Sequence, residues 1–330
     1  MRRIVIPGGS GAVGQVLARY FHRQGDQVTV LSRRPQATAW RTVVWNGRDL
    51  GPWEHEIDGA ETVINLTGRS VDCRYTKANR GEILHSRVDA TQVVGRAIQA
   101  ARRPPKVWLN ASTATIYRHA MDREMDEATG ELGGREGGGM ATWKFSIGVA
   151  TAWEKAFFEA ETPWTRKVAM RSAMIAIAGT SWLGKLTGLA RWGLGGAAGA
   201  GTQYMSWIHE TDFIRAVEFL MAREDLDGAV NVSSPNPMPN APFMQAIRDA
   251  CGVRFGPRVP EWALRIGSIL LGTEAELILK SRRVVPRRLL DAGFEFRFPT
   301  WPEAARELLW RPAPAVQHKG DRAAQQHSAC

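Results

Sequence analysis

Gly8, Gly9, Gly11 and Gly14 lie in a turn between a short apolar run, Ile4 to Ile6, and an amphipathic stretch that starts at Val13. Glycine lacks a Cβ, and a helix N-terminus offers unpaired N–H groups with a partial positive charge. Strand, glycine turn and helix in that order therefore seat a pyrophosphate, with Ser10, Ala12 and Val13 as further backbone contacts. The spacing Gly8-x-x-Gly11-x-x-Gly14 differs by one residue from G-x-G-x-x-G, and its setting is the one a dinucleotide fingerprint requires. The second apolar run, Gln27 to Leu31, ends in Ser32-Arg33-Arg34, where an NAD site usually places Asp or Glu on the ribose 2′-hydroxyl. A carboxylate repels a 2′-phosphate and a guanidinium binds it, so the expected cofactor is NADP.

Further hydroxyls stand where strands are expected to end. Thr62 to Leu66 reads as a strand running into Leu66-Thr67-Gly68, which is expected to border the cofactor, and Lys106 to Asn110 runs into Ala111-Ser112-Thr113. Tyr117 follows as either a proton relay or a packing residue. An imidazole in general titrates near neutrality, so in Ser206 to Asp212, SWIHETD, His209 is a candidate for proton transfer, with bracing of a loop-to-helix junction as the alternative. Gln203 and Trp207 are candidate substrate contacts, Trp207 with a core role as its alternative.

The elements that must position these groups alternate. A helix over Val13 to Gln24, a strand over Thr42 to Trp45, helices over Glu82 to Ala101 and Lys144 to Ala160, and a strand over Arg166 to Ile177 imply a doubly wound parallel sheet, an α/β Rossmann-type fold. Beyond it, helix over Phe213 to Ala222, strand over Ala229 to Val232 and mostly helices from Phe243 to Leu309 imply a smaller, mainly helical C-terminal lobe. The expected boundaries are 1–178 for the NADP-binding domain and 179–310 for the substrate lobe, with some strands returning to the first domain. Residues 311–330 are read as a disordered tail. The glycine-rich 133–139 segment reads as a loop, and the basic run Lys280 to Arg288 as a solvated face of helices.

Composition narrows the function. Hydrophobic residues make up 44% and charged residues 23% of the 330 positions, as in soluble globular proteins. The net charge of +10 is gathered in doublets such as Arg33-Arg34 and Arg102-Arg103, but no nucleic-acid-binding signature accompanies it. Cys73, Cys251 and Cys330 are far apart without metal-ligand spacing, so neither a structural metal nor disulfides are expected. Met1 leads directly into the first strand and no apolar run reaches membrane-spanning length. The expectation is a cytoplasmic protein, monomer or homodimer, acting on a small-molecule substrate, anionic ones included, and not on nucleic acid or membrane.

GGSGAVG at Gly8 to Gly14, NLTG at Asn65 to Gly68, RYTKANRGEILHSRV at Arg74 to Val88, SWIHETD, NVSSPNPMPN at Asn231 to Asn240 and LILKSRRVVPRRLLDAGFEFRFP at Leu277 to Pro299 together resemble one group of proteins. It is an atypical branch of the extended short-chain dehydrogenase/reductases, sugar-nucleotide epimerase-like, of unknown substrate and with its own C-terminal extension. The resemblance implies an NADP-binding sheet domain with a helical substrate lobe, and it maps Ser112 and Thr113 onto the substrate-orienting hydroxyl position and Arg87 onto a position facing the cofactor.

The superfamily's proton chemistry usually rests on Tyr-x-x-x-Lys, and that motif is absent. Gln24, Asn79, Met121 and Ile208 stand four residues after Tyr20, Tyr75, Tyr117 and Tyr204. With Glu154 aligned to the glutamate that often follows the motif, the tyrosine slot falls on Ser146 and the lysine slot on Ala150. Thr115 and Arg118 replace expected glycines, which predicts a narrower loop beside the nicotinamide. Two readings follow: an NADP(H)-dependent oxidoreductase or epimerase-like enzyme, with Ser112, Thr113 and Tyr117 or His209 handling the proton, or a catalytically silent NADP-binding redox sensor or scaffold.

Overall fold

The computed structural model describes residues 1–134, 141–270, 274 and 276–310. The first apolar run forms β1 (Arg3–Pro7), and the glycine turn leads into α1 (Ala12–Arg23), which carries Leu17 and Phe21 on its buried face. The chain continues through β2 (Gln27–Ser32), β3 (Arg41–Val44), β4 (Thr62–Asn65), α2 (Lys77–Ala100), β5 (Val107–Thr113), α3 (Ala141–Phe158) and β6 (Arg166–Ser172). It then forms β7 (Met174–Ala176), α4 (Ser181–Arg191), β8 (Tyr204–Met205), β9 (Trp207–His209), α5 (Glu210–Ala222) and β10 (Gly228–Val232). The C-terminal part holds β11 (Met238–Pro239), α6 (Asn240–Ala250), α7 (Glu261–Leu270), α8 (Glu276–Leu279), α9 (Arg287–Asp291) and α10 (Trp301–Trp310).

Among the described residues, seven strands form one sheet in the order β10-β6-β5-β4-β1-β2-β3, every pairing parallel. Parallel strands are covered on both faces, which explains their almost unbroken apolar runs. Alternation along β1 sends Ile4 and Ile6 to one face, under α1 and α5, and Val5 to the other, under α2 and α3. A separate core gathers Trp207, Phe243 and Trp301, with Phe243 and Trp301 stacked 4.1 Å apart, and holds the C-terminal helices together. No described helix is long and apolar enough to cross a membrane.

The doubly wound sheet matches its expectation, with local differences. The helix expected from Glu82 starts at Lys77, because Thr76 Oγ1 accepts the Asn79 amide at 3.2 Å and caps an earlier turn. The strand expected to end at Asn110 stays paired with β6 through Thr113, so Ser112 and Thr113 sit inside the sheet's carboxyl edge. The long strand expected over Arg166 to Ile177 breaks at Ala173: β6 stays in the sheet and β7 leaves it to pair with β9. The strand at Gly228–Val232 returns to the sheet beside β6.

The largest correction concerns the Lys280 to Arg288 run. Lys280, Ser281 and Val284 are fully buried. Lys280 Nζ donates to Thr115 O at 2.7 Å, and Ser281 Oγ donates to Ala120 O at 2.5 Å. Each buried polar head has a backbone acceptor, which makes its burial tolerable. The expected disordered tail, 311–330, and the 135–140 part of the glycine-rich segment lie outside the described residues.

Candidate functional site

The strand order reverses between β1 and β4, and the crevice at such a switch point is where open α/β sheets bind ligands. At its β1 side the glycine turn is held by Gly8 N donating to Leu31 O at 2.9 Å, which places it against the end of β2. Gly8 has φ +74°, and a Cβ there would lie 2.7 Å from Thr67 Cα. A Cβ on Gly14 would lie 2.4 Å from Gly9 Cα, so α1 can approach the turn only as glycine. Gly11 differs: its added Cβ would meet only Gly8 O, at 3.8 Å, leaving that side of the turn open.

Gly11 also caps α1 without a side-chain hydrogen bond, so among the described residues no side chain of the cap occupies the helix N-terminus. Arg33 and Arg34 are exposed just past β2, and neither guanidinium has a hydrogen-bond or ion-pair partner among the described residues. The open backbone, the uncapped helix end and two available guanidiniums fit the phosphates of a dinucleotide. Across the crevice Thr67 N donates to Asn65 Oδ1 at 3.1 Å, fixing Leu66-Thr67-Gly68 against β4. Arg87, from α2, approaches Gly68, lies over the Trp153 ring at 5.1 Å and donates to Arg69 O and Ile83 O. Burial pushes its guanidinium down to about 10, so it stays charged at neutral pH.

Beside the turn a cleft of about 390 Å³ opens, reached by Val13 and lined by Arg87, Ser112, Thr113, Thr115, Ser146, Trp153, Ser172 and Glu276 among others. Ser112 Oγ donates to Glu154 Oε1 at 2.5 Å. Glu154 is gripped from behind by Arg171, whose Nε and Nη2 each donate to its carboxylate at 2.8 Å. The Ser112 oxygen thus remains an acceptor with its own proton committed, which suits orienting a substrate O–H or N–H more than donating a proton. Thr113 Oγ1 accepts the Thr115 amide at 3.1 Å. Thr115, one of the two residues replacing glycine, lines the cleft, while Arg118 turns away to Asp122 and Glu131.

Of the expected site residues, the glycine turn, Leu66 to Gly68, Arg87, Ser112 and Thr113 converge on this crevice and Arg33 and Arg34 flank it. Four others do not. Tyr117 is 1% exposed in a small core with Ile116, Met125 and Val284. Its hydroxyl accepts from Arg171 Nη1 and donates to Asn231 Oδ1, both at 2.9 Å, and burial holds it above the ordinary tyrosine range. His209 is fully buried; its Nδ1 accepts the Thr211 amide at 3.0 Å, its Nε2 lies 2.9 Å from Glu307 Oε2, and its ring stacks on Phe298. That is the bracing role. Gln203 donates to Ala198 O at 2.9 Å from inside the C-terminal lobe, and Trp207 is core, 5.0 Å from Trp301.

Two groups escaped the sequence. The Glu154–Arg171 pair joins α3 to β6, and nothing in the spacing of either residue signals the other. Glu276 comes from the C-terminal extension and lines the same cleft as Ser112 and Thr113.

Residues 4–137 match the family described as NAD dependent epimerase/dehydratase, and residues 259–308 match a domain of unknown function, DUF1731. The epimerase family protein YfhF of Bacillus subtilis is 30% identical over 315 residues, covering 93% of this chain and 97% of its own. The chain belongs to the NAD-dependent epimerase/dehydratase family. A human member, epimerase family protein SDR39U1, is 27% identical over 314 residues, 93% of this chain and 99% of its own. The crystal structure of that human protein (isoform 2) with NADPH superposes with a TM-score of 0.81 at 26% identity, covering 94% of this chain and all of the other. A nucleoside-diphosphate sugar epimerase from Corynebacterium glutamicum shares the fold at a TM-score of 0.72 and 23% identity. In this member of the family the dinucleotide crevice and the C-terminal extension meet at one cleft, through Glu276.

Proposed function

We propose that this protein is an NADP(H)-dependent oxidoreductase or epimerase-like enzyme whose substrate, a small molecule, sits in the cleft over Ser112 and Thr113. The observation that carries the reading is the open Gly11 face at the end of α1, flanked by the guanidiniums of Arg33 and Arg34, which have no partner among the described residues. Arg33 and Arg34 would hold the 2′-phosphate, the turn amides the pyrophosphate, and Leu66 to Gly68 the far side of the crevice. The cofactor supplies hydride transfer when bound. Ser112, tethered through Glu154 to Arg171, orients the substrate by accepting from one of its O–H or N–H groups. The human relative's structure with NADPH supports the same choice of cofactor.

The test is isothermal titration with NADPH and NADH. The double variant R33A/R34A is expected to weaken NADPH by about 30-fold, in line with the loss of charge-assisted hydrogen bonds. NADH affinity should change less than about 3-fold, because it carries no 2′-phosphate for the two guanidiniums to grip. Equal losses for both nucleotides would sink the 2′-phosphate assignment. A second reading, a cofactor-binding sensor without turnover, is favoured by Ser146 and Ala150 in the slots of the usual tyrosine and lysine. It predicts no NADPH oxidation with any carbonyl or sugar-nucleotide substrate.

A further inference from the structure

Ser146 occupies the tyrosine slot on α3 and lines the cleft, and its hydroxyl donates to Glu276 Oε1. Glu276 is 1% exposed, yet its second oxygen, Oε2, has no hydrogen-bond partner among the described residues. Glu274 and Glu276 are both tied to the residues just before α2: Glu274 accepts from the Tyr75 amide at 2.8 Å and pairs with Arg74 at 3.1 Å, and Tyr75 Oη lies 3.4 Å from Glu276 Oε1. A buried carboxylate with an orphan oxygen is costly, whereas a neutral carboxylic acid there has a proton to give.

Resting on the oxidoreductase reading above, we propose that Glu276 and Ser146 form the proton relay that replaces the missing tyrosine and lysine. In the reducing direction hydride goes from NADPH to the carbonyl carbon, and the carbonyl oxygen takes the Ser146 hydroxyl proton. When Glu276 carries its proton on Oε1 the hydrogen bond reverses, the carboxyl donating to Ser146 Oγ and freeing the hydroxyl for the substrate. Ser146 Oγ then recovers that proton from Glu276, which is left as carboxylate and is reprotonated from solvent after release. The reverse sequence serves oxidation. The C-terminal extension thus completes the active site of the sheet domain.

The surroundings suit this task. Burial raises the Glu276 carboxyl above the ordinary range, opposed first by the Ser146 hydrogen bond and then by the nearby Arg282, Thr142 and Lys280. Arg282 is itself held by Thr115 Oγ1 at 3.2 Å, and Lys280 by Thr115 O at 2.7 Å. Tyr75, the remaining titratable group against Glu276, is pushed well above the usual phenol range and stays neutral. Glu276 is therefore the acid facing Ser146 whose neutral, proton-bearing form burial favours.

The experiment uses the full chain with NADPH and 9,10-phenanthrenequinone as carbonyl probe, alongside infrared spectra from pH 4 to 9. In the spectra a protonated-carboxyl band should persist above the pH where ordinary glutamates ionise, and vanish in E276Q. With the probe, E276Q and S146A should each lower kcat by at least about 100-fold with NADPH affinity unchanged, the scale of general acid catalysis. S146T, which keeps the hydroxyl, should stay within about 5-fold of wild type, a small part of that loss. The fall of kcat at high pH should disappear in E276Q. A wild type that turns over while E276Q and S146A match it overturns the relay and leaves the oxidoreductase reading intact. So does a Glu276 carboxyl that ionises with the ordinary glutamates. A wild type that binds NADPH and oxidises none overturns both.

Discussion

Replacing Glu154 with alanine will destabilise the protein by about 3 to 5 kcal/mol, the cost of breaking a buried ion pair by removing one partner. Arg171 is 8% exposed and Glu154 7%, so the stranded guanidinium has little access to water. The loss spreads because the pair is the hub of a chain of hydrogen bonds: Ser112 rests on Glu154, Tyr117 on Arg171, and Asn231 on Tyr117. Ser112→Ala, which deletes one hydrogen bond and leaves the charges paired, should cost only about 1 kcal/mol. The double variant E154M/R171M should recover most of the single variant's deficit, because apolar replacements of similar volume remove both desolvation costs at once. Urea unfolding at constant m-value measures all three. An E154A protein as stable as wild type would show that solvent reaches Arg171 and that the pair is not a buried one.

The same pair shows what a sequence can and cannot disclose. β1, α1 and β2 announce themselves because a parallel strand is apolar throughout and a surface helix repeats at 3.6 residues; these are local signals. The glycine turn is legible for the same reason, since strand, turn and helix are contiguous. Glu154 and Arg171 are separated by a helix end, a loop and most of a strand, and either alone reads as a surface charge. Lys280 misleads in the same way: a basic run looks solvated until the backbone oxygen of Thr115, from a distant loop, is found on its ammonium. His209, Tyr117, Gln203 and Trp207 have side chains suited to chemistry, but residue type says nothing of direction, and in the fold they point into cores. Glu276 gave no signal, because its partners Ser146 and Tyr75 come from two other parts of the chain. The reading of the cofactor turn rests on local pattern, and the reading of the proton chemistry on tertiary contacts.

The glycine turn yields the sharpest contrast between two adjacent substitutions. Gly14→Ala puts a methyl 2.4 Å from Gly9 Cα, a backbone atom with nowhere to go, so α1 must shift away from the turn. That displacement moves the helix N-terminus out of line with the cradle, and NADPH affinity should fall by more than about 100-fold, the scale of losing several phosphate hydrogen bonds together. The melting temperature should fall as well, since α1 carries Leu17 and Phe21 into the main core. Gly11→Ala meets only Gly8 O at 3.8 Å, so the free protein should melt within about 2 °C of wild type, a change well under 1 kcal/mol. Its methyl instead occupies the open face, where a pyrophosphate must approach the backbone, and NADPH should bind at least about 10-fold more weakly, the loss of one charge-assisted hydrogen bond. Calorimetric titration and thermal melting of the two variants separate the effects: Gly14 acts through the fold of the turn, Gly11 through the space above it. Were Gly11→Ala to bind NADPH as wild type does, the dinucleotide would have to lie elsewhere, and the roles given to Arg33 and Arg34 would fall with it.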